Sequence, residues 1–124
     1  MKLNELFSVR RAKAAERDKS YDPALSLYLV TLDRGTGSPY AKVRKTLDGL
    51  GTRIDAVHQA SFLLSTKRAR DIQAAIVAIP FGPKTSIARI FVGKIQAGWS
   101  FKIPGSTPRK ALQNALRKVG LKYN

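Results

Sequence analysis

The stretch Ser-Leu-Tyr-Leu-Val-Thr-Leu-Asp, residues 26–33, decides the fold. This nearly continuous apolar run is rich in strand-forming residues, as is typical of a central strand that is buried on both faces. A loop of glycine, serine and proline follows over residues 35–39, with Ser38 at the N-cap and Pro39 at the first position of a helix. The sequence therefore predicts a buried strand that leads directly into a helix.

Downstream of this strand, the alternation of strand and helix recurs. Two helices are predicted to begin near Pro39 and near Ser65 or Thr66, and both have the same apolar spacing. The apolar residues are Tyr40, Val43, Leu47 and Leu50 in the first helix and Ala69, Ile72, Ile76 and Ile79 in the second. Extended runs over 52–57 and 59–66 lie between the helices, with a hairpin near residues 55–58, and a last strand covers residues 85–94.

The order strand, helix, strand, strand, helix, strand predicts an α+β protein with a ferredoxin-like βαββαβ sheet packed against two helices. We assign residues 25–103 to this domain and expect an extra short strand within residues 97–103. In the last strand, Ile87, Arg89 and Phe91 are predicted to share one face, opposite to Ala88, Ile90 and Val92.

Two basic segments flank this domain. Residues 1–24 alternate cations with alanines, and their high helix propensity predicts a basic helical arm. Residues 104–124 predict a C-terminal helix from Thr107 to Gly120, with apolar residues on one side and cations on the other.

The charge of the chain is its strongest compositional signal. Its 124 residues include 23 Lys and Arg against 8 Asp and Glu, a formal net charge of +15, and no acid follows Asp71. A polyanion would relieve the resulting repulsion. With 44% hydrophobic residues the chain is too apolar for a disordered polycation. We therefore expect a folded protein that binds DNA or RNA; the alternatives are a solvated basic surface and an acidic lipid surface.

The composition removes several classes of function. The chain has no cysteine, which excludes disulfide frameworks, thiolate metal sites and cysteine nucleophiles. Its single histidine, His58, falls in a predicted turn, and no serine lies in a nucleophile motif. No apolar run matches a secretory signal or a membrane span, so we expect a cytoplasmic protein without a membrane partner.

Phosphate binding requires cations on an accessible surface. The candidate residues are Arg109, Lys110, Arg117 and Lys118 in the C-terminal helix, Arg68 and Arg70 in the second helix, Arg10 and Arg11 in the arm, and Lys102 in the extra strand. Trp99 and Phe101 are candidates for stacking on bases. Their alternative role is to anchor the extra strand in a core or a dimer interface.

The run Tyr-Leu-Val-Thr-Leu-Asp at residues 28–33 resembles the first strand of the CRISPR-associated adaptation nuclease subunit and of the related VapD-type toxins. Leu50-Gly51, Ala-Ser-Phe-Leu-Leu at residues 60–64 and Ile-Phe-Val-Gly at residues 90–93 are also similar to those families. The resemblance covers residues 26–102, and the flanking segments have no counterpart.

This resemblance implies a ferredoxin-like homodimer in which residues 97–103 lie against the partner and two copies of Asp33 meet in the dimer cleft. The paired aspartates of those families bind magnesium for phosphodiester hydrolysis, so the resemblance implies that Asp33 is both a Mg2+ ligand and a catalytic residue. Arg34 beside it would keep the carboxylate ionised and would compete with the metal. The alternative role of Asp33 is to cap the loop at residues 35–38.

Three functions therefore stay open. The first is a nucleic-acid-binding homodimer that contacts backbone phosphates. The second is a magnesium-dependent endonuclease that uses Asp33. The third is a basic interaction protein or inhibitor that docks on an acidic protein. The first is preferred, because phosphate binding requires only cations whereas metal chemistry requires further oxygen ligands.

Overall fold

The computed structural model describes residues 6–57, 60–102 and 106–123, which form helices and two antiparallel sheets. In chain order the elements are β1 (Leu6–Arg11), β2 (Ser26–Thr36), α1 (Tyr40–Asp48), β3 (Thr52–Val57), β4 (Ala60–Ser65), α2 (Ala69–Val77), β5 (Ser86–Lys94), β6 (Ser100–Lys102), α3 (Ser106–Lys118) and β7 (Leu121–Tyr123). A 3-10 turn, Ala14–Glu16, lies between β1 and β2. None of the helices in these ranges combines the length and the apolar character needed to cross a bilayer.

The larger sheet places β2 at an inner position, as predicted from its apolar run. The strand order is β3-β4-β2-β5, and every neighbouring pair is antiparallel. β2 pairs with β4 from Ser26 to Thr31 and with β5 from Tyr28 to Thr36. The smaller sheet has the order β6-β1-β7.

Helices α1 and α2 cover one face of the larger sheet. Tyr28, Val30 and Leu32 of β2 point to this face and pack with Leu47 of α1 and Ile76 of α2. None of these five side chains is more than 6% exposed. The strand alternation and the helical spacing seen in the sequence thus form one apolar layer.

Helix α3 and the smaller sheet cover part of the opposite face. Leu27 of β2 and Phe62 of β4 belong to a second core with Leu116 of α3, Val9 of β1 and Leu121 of β7. The larger sheet therefore lies between two layers, and elements near both ends of the described chain complete the second one. The predicted C-terminal amphipathic helix is confirmed, since its apolar side is the side that is buried.

The predicted N-terminal helical arm is wrong for the described residues. Residues 6–11 form β1, which pairs with β6 on one edge and with β7 on the other. Val9 is only 3% exposed and Ala12 only 6%. Helix propensity is a weak preference that tertiary pairing overrides, and here two partner strands and a buried valine favour the extended form.

The extra strand predicted within residues 97–103 is present as β6. It pairs with β1 of the same chain rather than extending the larger sheet. The strand β7 was not predicted. Three residues are too few to show an alternating pattern, so its partner strand determines its conformation.

A bulge changes the predicted faces of β5. The pairing of β2 with β5 shifts between Asp33 and Arg34, where β5 contains the extra residue Ala88. A bulge of this kind reverses the alternation of side chains. Ile87 consequently packs in the same core as Ile90, with α1 and α2. The prediction that Ile87 lies on the opposite face is therefore wrong.

The helix starts also differ from the predicted caps. Pro39, not Ser38, is the N-cap of α1, and Arg68 is the N-cap of α2. Ser65 is buried and donates its hydroxyl to the Leu50 carbonyl at 2.7 Å, while it accepts the Lys67 backbone N–H at 3.0 Å. Its hydroxyl thus serves the turn before α2 rather than the helix end.

Candidate nucleic-acid interface

The predicted cations lie on opposite sides of the larger sheet. Arg68 and Arg70 are exposed at the start of α2, on the side that α1 and α2 cover, and Arg68 pairs with Asp71 at 3.3 Å. The helix α3 covers the other side, and its predicted cations are Arg109, which is half-buried, and Lys110, Arg117 and Lys118, which are exposed. The side chain of Lys102 lies outside the described residues. The fold therefore does not bring the two groups onto one surface.

Arg10 and Arg11 of β1 have different environments, because neighbouring strand residues point to opposite faces. The Arg10 guanidinium donates two hydrogen bonds to the Glu16 carboxylate, at 2.9 and 2.8 Å. The Lys13 backbone N–H and the Lys122 ammonium donate to the same carboxylate at 3.1 and 3.2 Å. The Arg10 bonds above all, followed by those from Lys13 and Lys122, hold the pKa of Glu16 well below its usual value. Arg10 is thus engaged by an internal acid, whereas Arg11 is exposed.

Arg11 lines a groove with a volume of about 450 Å³. Arg17, which follows the 3-10 turn, and Lys94, at the end of β5, line the same groove. Within the described chain no acidic residue lines it, and no ion pair engages any of these three cations. We call this groove, which Arg11, Arg17 and Lys94 line, the basic groove. Three cations without a counter-charge make this surface attractive to anions.

Arg17 contacts the ring of Tyr21 beside the basic groove. Its guanidinium carbon lies 4.9 Å from the centre of the Tyr21 ring, within the range of a cation–π contact. A Cβ on Gly120 would lie only 2.8 Å from Cε1 of Tyr21, so the ring rests against the glycine. Gly120 also has a φ of +75°, which side chains other than glycine rarely adopt. Tyr21 therefore contacts both Arg17 and Gly120, and a side chain at position 120 would displace the ring.

A second groove of about 450 Å³ shares Arg17 but has a mixed charge. Arg117 and Lys122 line it together with Glu16 and Asp18. The two acids offset much of the positive charge there. Of the two grooves, the basic groove is the better match for a phosphate backbone.

Asp33 lies inside β2 and not at its end, because the strand continues to Thr36. Its Oδ2 is 3.1 Å from Nε of Arg89, the residue opposite it on β5. The loop-capping role is therefore wrong. Arg34, expected to be the charge partner, instead donates to the Gly37 carbonyl at 3.5 Å.

The metal role of Asp33 stays a prediction. In the described ranges no group of three or more acidic or histidine side chains could hold a metal ion. A magnesium site at Asp33 would thus need oxygen ligands from a second subunit or from the substrate. The metal would also have to compete with the cation of Arg89.

Trp99 anchors the extra strand, which confirms the alternative role for this residue. Its side chain is half-buried and packs against the core that α3 forms with the larger sheet. Its carbonyl accepts the Val9 backbone N–H at 2.8 Å. The side chain of Phe101 and all of His58 lie outside the described residues.

Comparison with known protein families, curated proteins and solved structures finds no match for this chain. The resemblance to the CRISPR-associated adaptation nuclease subunit and the VapD-type toxins stays a prediction.

Sequence reasoning missed Arg17 and Lys94. They are far apart along the chain and meet only because the segment after β1 packs beside the ends of β2 and β5. The one usable signal was the absence of acids after Asp71, which leaves Lys94 in a purely cationic stretch. Arg17 lies in the basic segment of residues 1–24, in which Arg10 and Arg11 were the chosen candidates.

Proposed function

We propose that this protein binds nucleic acid by placing backbone phosphates in the basic groove. The observation that carries the proposal is the convergence of Arg11, Arg17 and Lys94 on a groove whose described lining contains no acid. Contacts of this kind carry no base information, so binding depends little on sequence and strongly on salt.

The distribution of the described acids supports this proposal. Beside α1, Arg53 is shared by Asp48, at 2.8 Å, and by Asp55. Glu16 is engaged by Arg10 and Lys122. These acids are occupied by other cations, so they do not neutralise the basic groove.

Replacing Arg17 with Ala tests the proposal directly. Affinity for a fluorescently labelled DNA or RNA of mixed sequence is measured by fluorescence anisotropy between about 50 and about 200 mM salt. Loss of one phosphate contact should reduce the slope of log affinity against log salt by about one unit. The same reduction is expected for Arg11→Ala and for Lys94→Ala.

Lys45→Ala is the matched control. Lys45 is exposed on α1, on the opposite side of the larger sheet, and its loss removes the same charge. We expect its salt slope to match that of the wild type. An equal reduction of the salt slope in Arg17→Ala and Lys45→Ala would show a general charge effect. It would contradict the proposal that phosphates bind in the basic groove. A wild-type protein that binds no nucleic acid in dilute buffer would end the proposal.

We also propose a ferredoxin-like arrangement for residues 26–94. The order of elements from β2 to β5 and the strand order β3-β4-β2-β5 support it. A homodimer stays a prediction, which sedimentation at several protein concentrations tests. In the described larger sheet, β3 and β5 are the edge strands to which a partner strand can add.

A further inference from the structure

Phe91 is a large aromatic side chain exposed on the larger sheet. It is 55% exposed and lies opposite Thr31 of β2. Its neighbours Ile90 and Val92 pack in the core with α1 and α2, so Phe91 points to the other face. The second core covers that face around Phe62 of β4 but leaves the Phe91 ring open to solvent.

The Phe91 ring packs against Gly93 of the same strand. A Cβ on Gly93 would lie 2.6 Å from Cε2 and 2.7 Å from Cζ of Phe91, and 3.4 Å from Cη2 of Trp99. The ring therefore lies over Gly93, next to the end of the Trp99 indole. A ring held against the backbone in this way offers its outer surface to a planar ligand.

Two cations lie near Phe91 along β5: Arg89 shares its face, whereas Lys94, at the end of the strand, lies opposite Tyr28 on the other face. The side chain of Arg89, two residues earlier, is 85% exposed, and its ion pair with Asp33 is a surface pair. Lys94, three residues later, lines the basic groove. At about 3.3 Å per residue, Phe91 lies about 10 Å from Lys94 along the strand. A chain of phosphates that runs from the basic groove to Arg89 would pass beside the exposed ring.

We infer that Phe91 is a stacking platform for an unpaired base, so that the ligand of this protein is single-stranded nucleic acid. This inference rests on the proposed function, because the basic groove supplies the backbone contacts. The bases of a duplex are already stacked on one another and cannot cover the ring. A single strand exposes them, and an aromatic ring accepts any base.

A second copy of the chain fits this surface less well. Symmetric contact around Phe91 would bring Arg89 towards the same cation of the partner. Like charges at an interface are unfavourable, whereas a polyanion neutralises Arg89. The charges beside the ring thus favour a nucleic acid as the occupant.

The test compares a labelled oligothymidine of about 12 nucleotides with a mixed-sequence duplex of the same length. Phe91→Ala should weaken single-strand binding by about 5- to 100-fold and leave duplex binding unchanged. Because stacking releases no counterions, the salt slope should stay that of the wild type. Phe91→Tyr should retain the affinity. Val77→Ala, which truncates an exposed apolar side chain on α2, is the control and should have no effect.

The outcomes separate this inference from the proposed function. If Phe91→Ala leaves single-strand affinity unchanged while Arg17→Ala still lowers the salt slope, base stacking on Phe91 is wrong. Phosphate binding in the basic groove is then still supported. If neither variant has an effect, both fail. An equal loss for single strand and duplex also overturns the platform. So does a loss of self-association by Phe91→Ala without any change in oligonucleotide affinity, since Phe91 would then be a contact between copies.

Discussion

The two faces of the larger sheet are closed to different extents. On the face covered by α1 and α2, Tyr28, Val30 and Leu32 are almost completely buried, whereas Phe91 on the other face is 55% exposed. Charge follows the same division. Beside α1 one arginine is shared by two acids, and beside β1 one acid, Glu16, is shared by two cations. The difference indicates that the first face serves stability, whereas the second face keeps the open part on which the proposed binding depends.

The largest expected effect on stability concerns the part of the second face that α3 covers. Leu116 has no exposed surface, like Ile76 of α2 on the first face. If both layers are true cores, Leu116→Ala and Ile76→Ala should each lower the free energy of unfolding by about 2–5 kcal/mol. Urea denaturation followed by circular dichroism measures both. A loss below about 1 kcal/mol for Leu116→Ala would show that α3 only rests on the sheet.

The same comparison explains how much of the fold could be predicted. The first face was predictable because the alternation in β2 and the helical spacing of residues such as Leu47 and Ile76 are local patterns. The apolar side of α3 was predictable for the same reason. The conformation of β1 was not, since alanine and arginine favour a helix until two partner strands and the burial of Val9 decide otherwise.

The candidate site was less predictable than the fold. Net charge and the acid-free second half of the chain identified a polyanion as the expected partner. The basic groove, however, depends on contacts between distant segments, and the Phe91 platform depends on which part of a sheet face α3 leaves open. Neither property has a periodic signal in the sequence. Sequence reasoning left Trp99 between stacking on bases and anchoring the extra strand, and its indole packs against the second core.

An intermediate effect is expected at Glu16, the acid shared by two cations. Its pKa lies well below the usual value because of the hydrogen bonds from Arg10, Lys13 and Lys122. A lowered carboxyl pKa stabilises the folded state above the unfolded pKa of about 4.3, and that stability is lost as pH falls through the folded pKa. Glu16→Gln should therefore be less stable than the wild type near neutral pH, and the difference should shrink below about pH 4.

Thermal unfolding of both proteins over this pH range checks the prediction for Glu16. Asp22→Asn, which changes an exposed acid in the loop between the 3-10 turn and β2, is the control and should show a smaller difference at neutral pH. A difference between wild type and Glu16→Gln that grows as the pH falls would contradict the assigned sign.

The smallest effect on stability is expected at Asp33. Its ion pair with Arg89 is exposed on both sides, at 53% and 85% of the side chains, so Asp33→Ala should change the free energy of unfolding by less than about 1 kcal/mol. Removal of the carboxylate leaves Arg89 beside Phe91 without its counter-charge. Single-strand affinity should then rise by up to about fivefold.

Asp71→Ala is the matched control for Asp33→Ala, because it removes an acid paired with Arg68 on the side of the larger sheet that α1 and α2 cover. Asp71→Ala should change the single-strand affinity less than Asp33→Ala does. A different result would change the comparison of the two faces: if the wild type cleaves nucleic acid with added magnesium and Asp33→Ala does not, the carboxylate is a metal ligand. The open part of the sheet would then be a catalytic surface, and Arg89 would be a cation that the metal displaces from Asp33.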